Sequence, residues 1–171
     1  MKILVINVGS TSLKFRLFEM KDESLLAVGK VERVGSVRSP VSYQFRDGPK
    51  HQEDIECHSQ RGAIEHVLKL LTNPGANVLS NLQELAAVGF KPVHAKDIAD
   101  SVFITDEVIQ AMEAYTPLAP AHNPPYIEAF RIFQEILPAK PLIGVFEASF
   151  HKTIPDYART YGIPYEWTQK H

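Results

Sequence analysis

Four short islands concentrate the residues of this chain that are able to do chemistry. They are Asn7-Val8-Gly9-Ser10-Thr11-Ser12-Leu13-Lys14, Gly89-Phe90-Lys91-Pro92-Val93-His94, Leu118–Pro125 and Val145-Phe146-Glu147-Ala148-Ser149-Phe150-His151. Together they offer an amide, a pair of lysines, a carboxylate and three histidines. Those are parts for phosphoryl transfer, which asks for positioning and charge neutralisation more than for covalent chemistry. In the first island, a turn rich in hydroxyls and backbone N–H groups can cradle a phosphate or hold a hydrated metal ion. Lys14, just past the turn, adds a positive point charge. The island is not a Walker loop, which needs a second glycine before Lys-Ser/Thr and a helix after it. An ordinary polar hairpin turn is the competing reading of the same residues.

Strands and helices must hold these islands in place. Ile3–Ile6 is a β-branched run typical of a buried strand, and Leu13, Phe15 and Leu17 alternate with polar residues as a second strand does. Leu25–Val34 and Val41–Phe45 continue the strand pattern, punctuated by Gly35-Ser36 and Asp47-Gly48-Pro49. After Ser59 the period changes: Ile64, Val67, Leu68 and Leu71 fall at helical spacing, and Asn73-Pro74-Gly75 ends the helix. Leu85–Val93 reads as a buried strand. Thr105 caps a helix whose first turn carries Asp106 and Glu107, where the helix dipole favours acids. Asn123 is expected as a helix cap with Pro124 at the first helical position, and the helix that follows closes at Pro138. Residues 141–146 form a last strand. Strands first, then helices alternating with strands, indicate an α/β layer. Three of the four islands then lie at strand ends, where open α/β sheets place ligands.

The 171 residues suit one domain with a real core. The hydrophobic share of 44%, charged share of 22% and formal net charge of −2 are ordinary for a soluble domain. They argue against nucleic acid and membrane as partners. No apolar run approaches the ~20 residues that span a bilayer. The apolar start breaks at Asn7 and Gly9, too early for a secretory leader. Cys57 is the only cysteine, so no intrachain disulfide forms and the cytoplasm is the expected setting.

The four islands, in this order and spacing, resemble the N-terminal half of the acetate kinase family, with its propionate and butyrate relatives. Asn7–Lys14 is similar to the family's Asn-x-Gly-Ser-Ser-Ser-Leu-Lys. Leu118–Pro125 resembles its Leu-Ala-Pro-Leu-His-Asn-Pro-Pro, and Val145–His151 its Val-Phe-Asp-Thr-Ala-Phe-His. Gly89–Lys96 resembles its Gly-His-Arg-Val-Val-His-Gly-Gly more loosely. The resemblance implies a ribonuclease-H-like lobe of the actin, hexokinase and sugar-kinase superfamily, with a mixed sheet and flanking helices over residues 1–150. Residues 151–171 would begin the crossover toward a second domain. It implies reversible transfer of the ATP γ-phosphoryl group to a short-chain carboxylate, with Mg2+ and ATP/ADP as cofactors and the carboxylate or acyl phosphate as substrate. Lys14 would sit near the nucleotide phosphates, with Ser10 and Ser12 in the same turn. Asn7 would help position the metal, with Glu147. Lys91 takes the place of the arginine that grips the substrate, and Glu147 that of the catalytic aspartate. Val93 and Ala121 fall where the family builds its pocket for the acyl methyl group, with His122 on the substrate side.

The departures cluster on the chemistry. Lysine at position 91 loses the planar fork that binds a carboxylate at two points. Glutamate at 147 keeps the charge and adds a methylene, enough to displace a working carboxylate. Two readings therefore stand: a phosphotransferase lobe that is inactive alone, and a degenerate domain that acts by association or small-anion binding. Glu147 is also read as a structural carboxylate pairing with Lys14 or Lys91. His94, His122 and His151 read as hydrogen-bonded structural residues more than as a metal triad, and His51, Cys57 and His58 as part of a solvated loop. The aromatic stretch His151–His171 is expected to be covered by self-association, most simply a homodimer, or by a missing second lobe.

Overall fold

The computed structural model describes residues 1–95, 98 and 100–168. Eight strands form one mixed sheet: β1 (Lys2–Gly9), β2 (Ser12–Glu19), β3 (Ser24–Glu32), β4 (Ser36–Phe45), β5 (Lys50–Cys57), β6 (Leu85–Phe90), β7 (Ser101–Phe103) and β8 (Leu142–Val145). Their order is β5-β4-β3-β2-β1-β6-β8-β7. The first five strands are an antiparallel meander, whereas β1, β6 and β8 run parallel. The expected mixed α/β layer is therefore the observed one, and β1 is the seam between its two halves.

Three longer helices accompany the sheet: α1 (Gln60–Leu71), α2 (Asp106–Ala114) and α3 (Asn123–Ile136). Ser59 caps α1 by accepting from the Gly62 N–H, and Thr105 caps α2 through Val108. Each such cap is worth about 1 kcal/mol. The apolar stripe of α1 meets Leu4, Ile6 and Val8 of β1 and the rings of α3 in one core. Phe90 stands edge-on to Phe130 and Phe133, with ring centroids 4.9 and 5.4 Å apart. Burying a ring of this size stabilises by about 1.5–3 kcal/mol. On the opposite face of β1 and β2, Val5, Asn7, Lys14 and Arg16 are exposed. Past β8, two four-residue helices, α4 (Asp156–Arg159) and α5 (Tyr165–Thr168), lie in a largely exposed segment.

Three expectations need correction. His51 and Cys57 do not lie in a solvated loop but in β5, with the Cys57 side chain buried. The strand is polar because it is an edge strand, held by backbone pairing to β4 rather than by an apolar face. The strand expected to reach Val93 stops at Phe90, because Pro92 has no N–H to continue a ladder. Asn123 is not the cap of α3: His122 holds that position without a side-chain bond. The Asn123 amide is drawn away, donating to the His94 and Met112 carbonyls, each at 2.9 Å. The short strand β7 carries no sequence signal, since three residues are too few to show a period.

Candidate active site

The three parallel strands bring three of the islands to one end of the sheet. The first is the β1–β2 turn. Asn7 stands directly across from Lys14, and Ser10-Thr11 form a two-residue loop closed by Gly9 and Ser12. A Cβ on Gly9 would come within 2.7 Å of the Ser12 hydroxyl, so the glycine lets that hydroxyl fold over the turn. From the helix side, buried Gln60 donates through Nε2 to the Gly9 carbonyl at 2.8 Å. The turn is thus pinned by α1. Lys14 in turn faces Lys30 across β2 and β3. A cavity of about 750 Å3 extends from Asn7 and Lys14 over the outer face, past Arg16, Lys30 and Lys50.

The second and third islands are the exits of β6 and β8. The Glu147 N–H donates to the Pro92 carbonyl at 3.0 Å and clamps the two exits together. Lys91 Nζ then meets Glu147 Oε1 at 2.9 Å, with both side chains about half exposed. Gly144 allows this packing. A Cβ there would meet Ile104 Cδ1 at 2.7 Å and Pro92 Cγ at 3.3 Å.

The connector before α3 joins the same region through Asn123, whose bond to the His94 carbonyl holds the β6 exit against α2 and α3. Val93 is half-buried and Ala121 and His122 are exposed, on these two linked segments. Ser10 is exposed and Ser12 half-buried, both at the turn. The three histidines do not form a cluster. His94 packs on Tyr115, His122 begins α3, and His151 packs on Phe150.

One residue in this region carries no sequence signal. Tyr126, in the first turn of α3, is buried, and its hydroxyl donates to Asn7 Oδ1 at 3.1 Å. Burial pushes its pKa up to about 12; the Val8 N–H works against this and the Glu147 charge adds to it. Tyr126 therefore senses both halves of the site. In the sequence it is one more aromatic on the apolar stripe of α3.

Comparison with known proteins gives the family. The sequence profile of the Acetokinase family matches residues 2–171. The chain is 42% identical over its full length to the acetate kinase of Clostridium novyi (strain NT), and 44% identical over 97% of its length to that of Clostridium botulinum (strain Hall). It superposes on the Porphyromonas gingivalis acetate kinase with a TM-score of 0.90 at 34% identity, and on a Francisella tularensis propionate kinase at 0.86 and 33%, over 99% of its length in both cases. It spans 43% of the Clostridium novyi protein and 43% of each of those two structures. With the profile matched from residue 2 to residue 171 and the fold shared, this chain belongs to the acetokinase family.

Proposed function

We propose that this chain supplies one half of a magnesium-dependent phosphotransferase site, which moves the ATP γ-phosphoryl group to a short-chain carboxylate and, in reverse, from acyl phosphate to ADP. The observation that supports this best is the meeting of Lys91 and Glu147 at the strand exits, beside the Asn7–Lys14 turn. In the forward direction a carboxylate oxygen of the acid attacks the γ-phosphorus, and the bond to the ADP oxygen breaks. Lys91 holds the acid's carboxylate once Glu147 lets it go. Lys14 neutralises phosphate charge from the turn. Val93 and Ala121 line the acyl end, with His122 beside them, and Ser10 and Ser12 offer hydroxyls on the nucleotide side. Mg2+ fits this donor set: it is usually held by one or two carboxylates and keeps its other positions for water and phosphate oxygens. Glu147 offers one half-exposed carboxylate. When bound, the ion supplies charge neutralisation at the phosphates.

The proposed setting is a reducing cytoplasm. Cys57 is buried, and burial pushes its thiol pKa up, away from reactivity. No helix among the described residues is long and apolar enough to cross a membrane.

A second reading, a non-catalytic lobe acting by association, is favoured by the same ion pair. Lys91 and Glu147 satisfy each other, so neither is free until a ligand separates them. Acid-dependent ADP release distinguishes the two. The chain alone is expected to give none, since closure of a second lobe excludes water and aligns the phosphoryl group. With the C-terminal part of an acetate kinase relative added in trans, release should appear. Its absence from a verified complex rejects the phosphotransferase reading in favour of the second.

A further inference from the structure

The helices share one face of the sheet. α1 and α3 pack on the buried alternate residues of β1, β2 and β8, and α2 packs on α3. The other face is bare, and one register row crosses it from edge to edge: Phe103, Ile143, Val5, Arg16, Val28 and Lys50. A Cβ on Gly89, in the same row, would meet only Val5 Cγ2 at 3.9 Å, so the row lies open above it. Phe103 is 66% exposed, and Val145 at the end of β8 is 47% exposed. Parallel strands such as β1, β6 and β8 are ordinarily covered on both faces. An apolar row on a bare face therefore asks for a cover. Four cations line the cavity on this face. Lys30 is taken by Glu32 at 2.7 Å, whereas Lys14, Arg16 and Lys50 have no carboxylate partner among the described residues.

The same chain carries a segment of matching chemistry. Residues 150–167 hold Phe150, Tyr157, Tyr161, Tyr165 and Trp167, all exposed, with two Lys/Arg and two Asp/Glu among them. The segment does not fold back on its own sheet. It leaves β8 through the turn at Glu147–His151, and Lys152 Nζ is held by Asp100 at 3.0 Å. We propose that the bare sheet face is a docking surface for a second copy of this chain, whose residues 150–167 lie across it in a reciprocal, two-fold dimer. Flat rings suit a pleated apolar row, and a lysine or arginine over the face of a tyrosine or tryptophan is attracted to it. A neutral segment meets no repulsion from the cations, whereas two bare faces set against each other would oppose like charges. Every copy has one face and one segment, so a two-fold axis covers both at once and leaves none open. Each ring buries about 150–250 Å2, so the five rings of each copy together reach the ~1,200–2,000 Å2 of a stable interface. Nothing in this docking depends on phosphoryl transfer.

The test uses the full 171-residue chain. Cys57 is buried and is the only native cysteine, so a cysteine placed on the surface is the one reactive thiol. Val5→Cys and, independently, Val145→Cys report on the bare face; Lys69→Cys, on the solvent side of α1, is the control. Light scattering should show a dimer. Thiol labelling at Val5→Cys and Val145→Cys should slow by about tenfold once about nine-tenths of the chain is dimeric, with Lys69→Cys unchanged. Tyr157→Ser, Tyr161→Ser and Trp167→Ser together should abolish the dimer and the slowing, and thermal melting checks that every variant is folded. Excess wild-type chain added to Val5→Cys in that triple-serine background should restore the protection, because the cover comes from the other copy. A chain that stays monomeric at every concentration overturns the proposal. So does a dimer in which both face thiols label at the monomer rate, since another surface then forms the interface. Protection that persists on dilution to monomer overturns it as well, since the segment then covers its own sheet.

Discussion

Lys91 Nζ lies 2.9 Å from Glu147 Oε1 across two strand exits that a backbone bond from Glu147 to Pro92 already holds together. The family pattern that this chain resembles has arginine and aspartate at these positions. Here the cation has become a point charge and the acid one methylene longer, and the two reach each other. Exposed pairs of this kind add little to stability. Their effect is on availability: under the proposed function, an incoming carboxylate has to displace Glu147 to reach Lys91.

Restoring the family residues should relieve that competition. In the two-lobe assembly, Lys91→Arg and Glu147→Asp together should raise kcat/KM for the acid by an order of magnitude or more, since a regained charge-assisted contact is worth ~1.5–3 kcal/mol. Steady-state ADP release measures it. An unchanged rate would remove both residues from the site.

Alkaline titration should single out Tyr126. Of six tyrosines, Tyr126 is held up near 12 by burial, and Tyr43 is also raised by burial. A phenol whose folded pKa is raised stabilises the fold fully below its ordinary value of 10. That contribution is lost as pH rises from 10 toward about 12. Phenolate absorbance should therefore show a late-titrating step that coincides with unfolding and is missing in Tyr126→Phe. A single step near pH 10 would contradict the burial.

Gly29→Ala should destabilise the meander. A Cβ there would come within 2.6 Å of the Phe15 ring and 2.7 Å of the Ser42 carbonyl, and the carbonyl belongs to a paired strand. Overpacking of this sort costs about 1–3 kcal/mol. Denaturant unfolding measures the loss, and wild-type stability in the variant would show that β4 yields freely.

The segment past β8 should drive self-association. Phe150, Tyr157, Tyr161 and Trp167 are 85%, 88%, 81% and 59% exposed. Light scattering over a concentration series should show a rising mass, with Trp167 emission moving to shorter wavelength. A constant monomer mass with unchanged emission would show that this surface stays in water.

The Asn7–Lys14 turn, α1 and α2 were legible because each announces itself locally: hydroxyls between two alternating runs, a change of period after Ser59, and a Thr105 cap before two acids. β5 was not, since an edge strand can be polar on both faces. Tyr126 and Gln60 were not either. Each looks ordinary on its helix, and its use depends on tertiary facts: β6 ends before β1, and α1 begins beneath Gly9. Asn123 misled for the same reason. Local chemistry made it a cap, while two carbonyls distant in sequence claimed its amide.

The seam at β1 also sets an order of assembly. The meander joins strands that follow one another in sequence, so it closes short loops. Ile6 meets Phe90, and Phe90 meets Gly144, only after long stretches of chain have returned. Contacts of that range form late. The Asn7–Lys14 turn therefore belongs to the early-formed half, and Lys91 with Glu147 to the late one. Folding is expected to complete the Lys91–Glu147 pair last, and local unfolding from the β7 edge to reach it before the turn with Asn7 and Lys14.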